Sequence, residues 1–297
     1  MSNKGIIFNE VMIEQNQGHP TRKPLFVELE KILGRPVLSF FTSFRYPVMI
    51  DDGDTDVLEA VLQKMDLAKG LAVLISSPGG NGLAAERIIN MCRSYSGTGD
   101  YWAIVPNKAK SAATMICFGA SKIIMGTTSE LGPIDPQITI TESEEIKRFS
   151  VFNIVKSYDA LFEKAVKEKE GNLQPYLQQL SNYDAREIEE FKAALALSED
   201  IAIRTLESGM MSGVPPKKIK EQIKIFLTPE RTKIHGRPIY RDEASKCCLK
   251  IEGVDNKEKF WQLVYELYVR TDNYVSTQVA KSIESKDYAF GAKKPRL

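Results

Sequence analysis

The 297-residue chain is 43% hydrophobic and 27% charged, and its 40 basic and 39 acidic residues give a formal net charge of +1. A charge this close to zero gives no electrostatic reason to expect binding to nucleic acid or to a membrane surface. No window reaches the roughly 18 consecutive apolar residues of a spanning helix, and the N-terminal residues lack the apolar core of a secretory signal. We therefore expect a cytoplasmic protein with no integral membrane segment and no nucleic-acid partner.

Cysteine and histidine usage argues against a metal or a redox function. The four cysteines (Cys92, Cys117, Cys247 and Cys248) lack the spacing of a metal site, and an adjacent pair does not bridge easily to itself. Only two histidines, His19 and His235, are present, too few for a histidine-rich metal site. We expect reduced thiols, no metal and no cofactor.

Strand and helix patterns alternate after a polar, aperiodic start, which predicts a flexible arm over residues 1–21. In chain order, the patterns predict a helix at 24–33, strands at 36–41 and 46–50, a helix capped by Asp54 or Thr55, a strand at 71–75, a helix at 83–95, a strand at 101–105, a helix at 111–119 and a strand at 122–125. This alternation is typical of an α/β fold in which crossover helices join parallel strands.

The second half of the chain has a different character. Long helical patterns cover residues 144–170 and 184–208, which predicts a hairpin-like helical insert. A basic amphipathic helix follows at 215–227, and an aromatic-rich helix is expected at 257–274. The last residues, rich in lysine and arginine, are expected to be disordered.

A glycine-rich turn, SSPGGNG at residues 76–82, directly follows the apolar run LAVLI. Glycines allow positive backbone dihedral angles and close approach to a ligand, and free amides at a helix start can stabilise a developing negative charge. A phosphate-binding loop is the alternative, but neither a Lys-Ser/Thr ending nor GxGxxG is present. An ordinary strand-to-helix turn is the structural alternative.

Ser111 begins a helix of small residues after the strand YWAIV. Its hydroxyl would lie where the helix dipole favours an alkoxide, although an N-cap is the ordinary role of such a serine. The preceding glycine turn strengthens the catalytic interpretation, because both segments follow consecutive strands of one parallel sheet. The adjacent loop carries Asp135 between two prolines, where it could orient a base or simply form a turn.

These segments resemble the Clp-fold serine peptidases, and most closely the SDH family (serine dehydrogenase proteinase), which is related to signal peptide peptidase A and to the stomatin-cleaving membrane proteases. The matching stretches are MIDDGDTDVLEAV, SSPGGNGLAAERI, KSAATMICFGASKIIM and LGPIDPQI, with further support from KPLFVELEKILGRPVLSFF and KIHGRPIYRDEASKCCL. The resemblance implies a Clp/crotonase-like hydrolase domain at 22–252 with a helical insert at about 142–208. Residues 253–297 are expected to form a C-terminal helix and a basic tail.

The resemblance also implies roles for individual residues. It makes Ser111 the nucleophile and the backbone amides of Gly80 and Ala112 the oxyanion donors. It assigns the substrate-side wall to Ser77, Pro78 and Gly79.

The general base is where this sequence departs from the Clp proteases, because the loop PIDPQ contains no histidine. The signal peptide peptidases and their membrane relatives use a lysine, which here suggests Lys147, expected in the first turn of a helix, or Lys156. A lysine base needs burial or a nearby positive charge to lower its pKa. His235 is the third candidate, with a structural hydrogen bond as its alternative role.

The leading hypothesis is a serine peptidase, ATP-independent by itself, that acts on peptides or proteins through a Ser-Lys pair and an amide oxyanion hole. A catalytically degenerate binding or scaffold protein of the same fold is the second hypothesis, and a crotonase-like acyl-CoA enzyme is the third. By analogy with fold relatives, we also expect a homo-oligomer.

Overall fold

The computed structural model describes residues 6–14, 18–142, 145–168, 171–232 and 234–294. The helices in these ranges are α1 Ile7–Ile13, α2 His19–Leu33, α3 Asp52–Leu62, α4 Gly82–Tyr95, α5 Ala112–Gly119, α6 Val151–Lys167, α7 Gln174–Leu180, α8 Ala185–Glu207, α9 Pro216–Gln222, α10 Lys224–Leu227, α11 Pro229–Thr232, α12 Arg241–Lys246 and α13 Lys259–Thr277. The strands are β1 Val37–Thr42, β2 Leu71–Ser76, β3 Tyr101–Val105, β4 Lys108–Ala109, β5 Lys122–Met125, β6 Glu130–Leu131, β7 Gln137–Glu142, β8 Glu145–Ser150, β9 Ile239–Tyr240, β10 Ile251–Gly253, β11 Lys281–Glu284 and β12 Ala289–Ala292.

A seven-stranded sheet in the order β10-β5-β3-β2-β1-β11-β12 forms the centre of the protein. The five strands from β10 to β1 are parallel, whereas β11 and β12 add antiparallel to the β1 side. Helices α3, α4 and α5 contribute to one apolar cluster, and α2 and α13 contribute to another. Strand β2 is buried at every position because helices cover both faces of the sheet. A strand buried on both faces needs a continuous apolar run, and LAVLI provides it.

The strands and helices predicted between residues 71 and 125 are all present, with bounds that differ by one or two residues. Two predictions earlier in the chain are wrong. Residues 46–49 form no strand, and Ile50 makes only an isolated bridge to Gly80. Helix α3 is capped by Asp51 rather than by Asp54 or Thr55, because Asp51 and Asp54 form a reciprocal capping box one turn earlier.

The N-terminal segment predicted as a flexible arm contains helix α1, and α2 begins at His19 rather than at residue 24. Helix α1 contacts α13, where Arg270 pairs with Glu14 at 2.6 Å. The isolated sequence of this segment gives no sign of that partner, because α13 lies at the other end of the chain.

The predicted insert starts differently from the expected helix over 144–170. Strands β7 and β8 pair antiparallel as a hairpin, and helix α6 begins only at Val151. The stretch QITIT of β7 alternates polar residues with isoleucine, and both isoleucine and threonine are β-branched. Both features favour a strand over a helix. Helix α8 matches the predicted helix at 184–208. No helix in the described part of the chain is both long and apolar enough to cross a membrane.

The C-terminal region holds α13 as predicted, and it also holds strands that the sequence patterns did not reveal. Strands β11 and β12 extend the central sheet, and β10 joins its opposite edge. These strands are short, and β12 is largely exposed, so their hydrophobic patterns are weak. The last three residues of the expected basic tail lie outside the described residues.

A buried ion pair ties this C-terminal addition to helix α2. The guanidinium of Arg22 donates to Glu284 at 2.7 and 2.5 Å, with side chains 0% and 1% exposed. Removing one partner of such a pair leaves an uncompensated buried charge.

We expect Arg22→Met to lower the free energy of unfolding by about 3–5 kcal/mol in urea titrations. Lys23→Met is the matched control, because its pair with Asp287 is half exposed and should contribute at most about 1 kcal/mol. Equal losses in the two variants would contradict this prediction.

Candidate active site

The glycine turn after β2 is held by hydrogen bonds on both sides of Gly80. The Ser77 hydroxyl accepts from the Gly79 amide at 3.1 Å. The Ile50 amide donates to the Gly79 carbonyl at 2.8 Å, and the Asn81 amide donates to the Ile50 carbonyl at 2.9 Å. Gly80 itself has φ 155°, and its amide has no acceptor among the described residues. The turn therefore presents one unpaired backbone donor at the end of β2.

Gly79 brings this turn into direct contact with the start of α5. It has φ 99°, and a Cβ placed there would lie 2.5 Å from the Lys110 carbonyl oxygen and 2.6 Å from the Ser111 Cβ. Both separations are shorter than van der Waals contact, so the position requires glycine for space as well as for backbone conformation. The close approach brings the Gly80 turn beside Ser111.

Ser111 has a strained backbone, with φ 50° and ψ −121° at the N-cap of α5. A non-glycine residue at such dihedral angles costs roughly 1–3 kcal/mol, and residues of this kind cluster at functional sites. The Ser111 hydroxyl makes no cap hydrogen bond, and the following Ala112 amide has no acceptor within the described ranges. The amides of Gly80 and Ala112 are thus two backbone donors without acceptors in the described segments that meet at Ser111.

The loop before Ser111 is fastened to the loop that carries Asp135. Lys110 Nζ donates to the Leu131 carbonyl at 3.1 Å and pairs with Glu130 at 3.0 Å. Thr114 donates to the Gly132 carbonyl at 3.0 Å. Burial lowers the pKa of Lys110, and the ion pair with Glu130 opposes this effect. The Lys110 ammonium is therefore committed to holding the two loops together.

A histidine and an aspartate that are 100 residues apart in sequence form a hydrogen bond, and the histidine lines the same cavity as Ser111. His235 Nδ1 lies 2.7 Å from Asp135 Oδ1, with the two side chains 18% and 0% exposed. The second carboxylate oxygen, Oδ2, accepts from the Ser150 hydroxyl at 2.8 Å. Asp135 is thus a buried carboxylate that can orient an imidazole.

A small sheet explains why these distant segments meet. Strands β4, β6 and β9 pair in the order β4-β6-β9. Ser111 follows β4, Asp135 follows β6, and His235 precedes β9. The bridge between Ser77 and Ala109 then joins the glycine turn to β4. Three two-residue strands therefore gather the serine, the aspartate and the histidine.

Ser111 and His235 line the same cavity of about 350 Å³. Pro78, Gly80 and Ala112 contribute to the wall on the side of the glycine turn. Apolar side chains from α4, α5, α8 and the neighbouring loops cover much of the remainder: Met49, Leu83, Met115, Ile134, Ala194, Leu197 and Ile201. The cavity lies between the central sheet and the insert, and polar side chains of Asn81, Gln137 and Arg148 also contribute to its lining.

Neither of the two lysines predicted as candidate bases is found in the described lining of the cavity. Lys147 is in strand β8, paired with Ile140, and not in the first turn of a helix as predicted; its side chain lies outside the described residues. Lys156 is exposed on α6, 5.7 Å from the centre of the Phe152 ring, and does not line the cavity. Of the predicted wall residues, Pro78 lines the cavity, whereas Ser77 and Gly79 are buried beneath it.

Cysteine and metal chemistry find no support at this cavity in the part of the chain that the structure describes. No described group of three or more His, Cys, Asp and Glu side chains is arranged to hold a metal ion. Cys92 is buried, and burial raises the pKa of its thiol to about 12, so it is unreactive at neutral pH. Cys248 is exposed but does not line the cavity.

The glycine turn, Ser111 and Asp135 all fall within residues 28–161, which match the family model of ClpP-like SDH-type serine proteinases. The matched segment is similar to this family over a little less than half of the chain. The match and the observed sheet confirm the predicted Clp-like α/β fold. His235 lies outside the matched segment, so the SDH-type match includes the serine and the aspartate but not the histidine.

Two proteins of an archaeon are similar to part of this chain. Uncharacterized proteins of Methanocaldococcus jannaschii are 34% and 32% identical to this chain over 107 residues, or 36% of the chain. The match spans only 34% and 32% of those relatives' own lengths.

Two solved structures are also similar, both mutants of the 1510-N membrane-bound stomatin-specific protease, one of them in complex with a substrate peptide. They are 13% and 12% identical, with coverage of 75% and 69% of this chain and 94% and 92% of theirs. TM-scores of 0.29 and 0.30 are too low for the sites to be compared residue by residue.

Proposed function

We propose that this protein is a serine peptidase in which Ser111 attacks the peptide carbonyl, His235 accepts its proton and Asp135 orients the imidazole. The observation that carries the proposal is the 2.7 Å contact between His235 and the buried Asp135 beside the cavity that Ser111 lines. A serine, a histidine and a carboxylate in these roles form a nucleophilic triad on many unrelated folds.

The proposed mechanism uses the two ring nitrogens of His235 in different roles. Asp135 accepts from Nδ1, which leaves Nε2 as the basic nitrogen for the serine proton. After acyl transfer, the same nitrogen returns the proton to the leaving amine. The carboxylate stabilises the imidazolium that forms between these two steps.

The free amides of Gly80 and Ala112 support an oxyanion hole. Attack on the carbonyl carbon places a negative charge on its oxygen, and two preorganised donors stabilise that charge without moving. The amides flank Ser111, and their other neighbours leave them without acceptors in the described part of the chain. The oxyanion roles predicted from the sequence thus fit the observed geometry.

The described contacts support His235 rather than Lys156 as the base, whereas the side chain of Lys147, the other lysine candidate, lies outside the described residues. Lys156 is exposed and outside the cavity, and Lys110 is engaged by Glu130 and Leu131. A base must reach the nucleophile within hydrogen-bond distance or through one water. His235 shares the described cavity lining with Ser111, and we propose that it reaches the Ser111 hydroxyl directly or through one water when substrate is bound.

Covalent labelling tests the nucleophile directly. We expect a biotinylated fluorophosphonate to label the wild-type protein and Ser94→Ala, which changes an exposed serine on α4, but not Ser111→Ala. Cleavage of a fluorogenic peptide library should follow the same pattern. Labelling of Ser111→Ala at the wild-type rate would overturn the assignment. Absence of both labelling and cleavage in the wild type would favour the non-catalytic binding protein.

Assembly and location remain predictions from the sequence. We propose a homo-oligomer in the cytoplasm, acting on peptide or protein substrates without ATP. Light scattering across a range of protein concentrations checks the assembly, and a mass that stays at one chain would contradict it.

A further inference from the structure

Ser150 occupies a junction between the insert and the catalytic residues. It is the last residue of β8 and the N-cap position of α6, and it is 8% exposed. Its hydroxyl donates to Asp135 Oδ2 at 2.8 Å. The neighbouring Val151 amide donates to the Pro136 carbonyl at 3.0 Å. The start of α6 is therefore fastened to the loop that carries Asp135 by two hydrogen bonds.

The hydroxyl of Ser150 is not used to cap its own helix. An N-cap serine ordinarily accepts a hydrogen bond from the second or third amide of the helix, which stabilises the helix. Helix α6 has no such side-chain bond at its N-cap. The Ser150 side chain instead donates to Asp135. Helix α6 therefore lacks a stabilising cap, and the hydroxyl contacts the carboxylate of the proposed triad.

Asp135 depends on this contact because of its burial. Its side chain is fully buried, and among the described residues its carboxylate is bonded by His235 at Oδ1 and by Ser150 at Oδ2. A buried carboxylate is costly unless donors satisfy its oxygens. Two donors on opposite oxygens also prevent the carboxylate from rotating away from the imidazole.

We propose that Ser150 is a positioning residue for the Asp135–His235 pair, so that the start of helix α6 is part of the catalytic machinery. This inference rests on the proposed peptidase function. Ser150 does not line the cavity, so it acts through Asp135 and does not contact substrate. Displacement of the start of α6 would then reduce catalysis through Asp135, although Ser150 itself does not line the cavity.

Steady-state kinetics provide the first readout. We expect Ser150→Ala to lower kcat about 10- to 100-fold, as loss of a supporting hydrogen bond does elsewhere, with KM within about twofold. Ser150→Thr, which keeps the hydroxyl, should recover most of the rate. Ser96→Ala is the matched control, because Ser96 is also buried and bonds only locally, to Thr98. If Ser150→Ala fails to fold, Ser150→Cys takes its place.

Proton and ¹⁵N NMR of the histidine rings provide a readout that does not require activity. The chain has two histidines, so His19 serves as an internal reference. We expect a downfield resonance of the His235 Nδ1 proton in the wild type and in Ser150→Thr. This resonance should be lost in Ser150→Ala. An unchanged His235 signal together with unchanged kcat would overturn the inference. If the signal depends on Ser150 but the wild type neither cleaves peptides nor labels, the positioning role is supported and the peptidase proposal fails.

Discussion

His235→Gln should lower kcat/KM by roughly three to four orders of magnitude, close to the effect of Ser111→Ala, because both changes stop proton transfer from the nucleophile. The double variant should be no slower than either single variant, since the two residues act as one unit. Steady-state kinetics with the best peptide of the library, together with the rate of fluorophosphonate labelling, measure the effect.

His19→Gln is the matched control for this prediction. His19 bonds the Ser285 carbonyl, away from the cavity, and its loss should leave kcat/KM within about twofold. The variants Lys147→Gln and Lys156→Gln distinguish a lysine base from a histidine base. If Lys147→Gln abolishes cleavage while His235→Gln retains it, the Ser-Lys mechanism expected from the sequence is correct and the triad is not.

Gly79→Ala should lower kcat/KM by about 10²- to 10³-fold, a loss comparable to that of one oxyanion donor. The added Cβ would lie 2.5 Å from the Lys110 carbonyl oxygen and 3.0 Å from the Ala112 nitrogen. Ser111 and the Ala112 amide must therefore move apart from the glycine turn. Kinetics on the folded variant, with near-ultraviolet circular dichroism to confirm its packing, measure the result.

Gly99→Ala isolates the backbone effect from the steric one. Gly99 also has a positive φ, 68°, but nothing lies within 4 Å of its missing Cβ. We expect Gly99→Ala to cost about 1–2 kcal/mol of stability and to leave kcat/KM unchanged. Equal activity losses in the two glycine variants would show that contact with Ser111 is not the reason for Gly79.

Local sequence determined the central sheet and the nucleophile's surroundings. Between residues 71 and 125, strands buried on both faces alternate with the amphipathic helix α4 and the fully buried helix α5, and each pattern is complete within one element. The turn SSPGG and the start of α5 are joined to consecutive strands of that sheet, so their proximity followed from strand order alone. Strand order therefore favours Ser111 together with the glycine turn, whereas the individual oxyanion roles of Gly80 and Ala112 are implied by the family resemblance.

Patterns failed where an element depends on a distant partner. Helix α1 and strands β10, β11 and β12 are stabilised by contacts with segments far away in the chain, and their own residues carry weak signals. The hairpin β7–β8 was mistaken for the start of a helix because the long amphipathic pattern of α6 follows it directly. Lys147 was consequently assigned to the wrong element.

Ser111 and the glycine turn were thus determined by the sequence, whereas the histidine and its partner were decided by tertiary structure. Asp135 and His235 were each recognised as candidates, but a proline-flanked turn and a histidine in HGRP have ordinary structural explanations. Only the pairing of β6 with β9 brings them together across 100 residues. A hydrogen bond between such distant side chains has no local periodicity to reveal it, so the proposed catalytic partner of Ser111 is identified only in the tertiary structure.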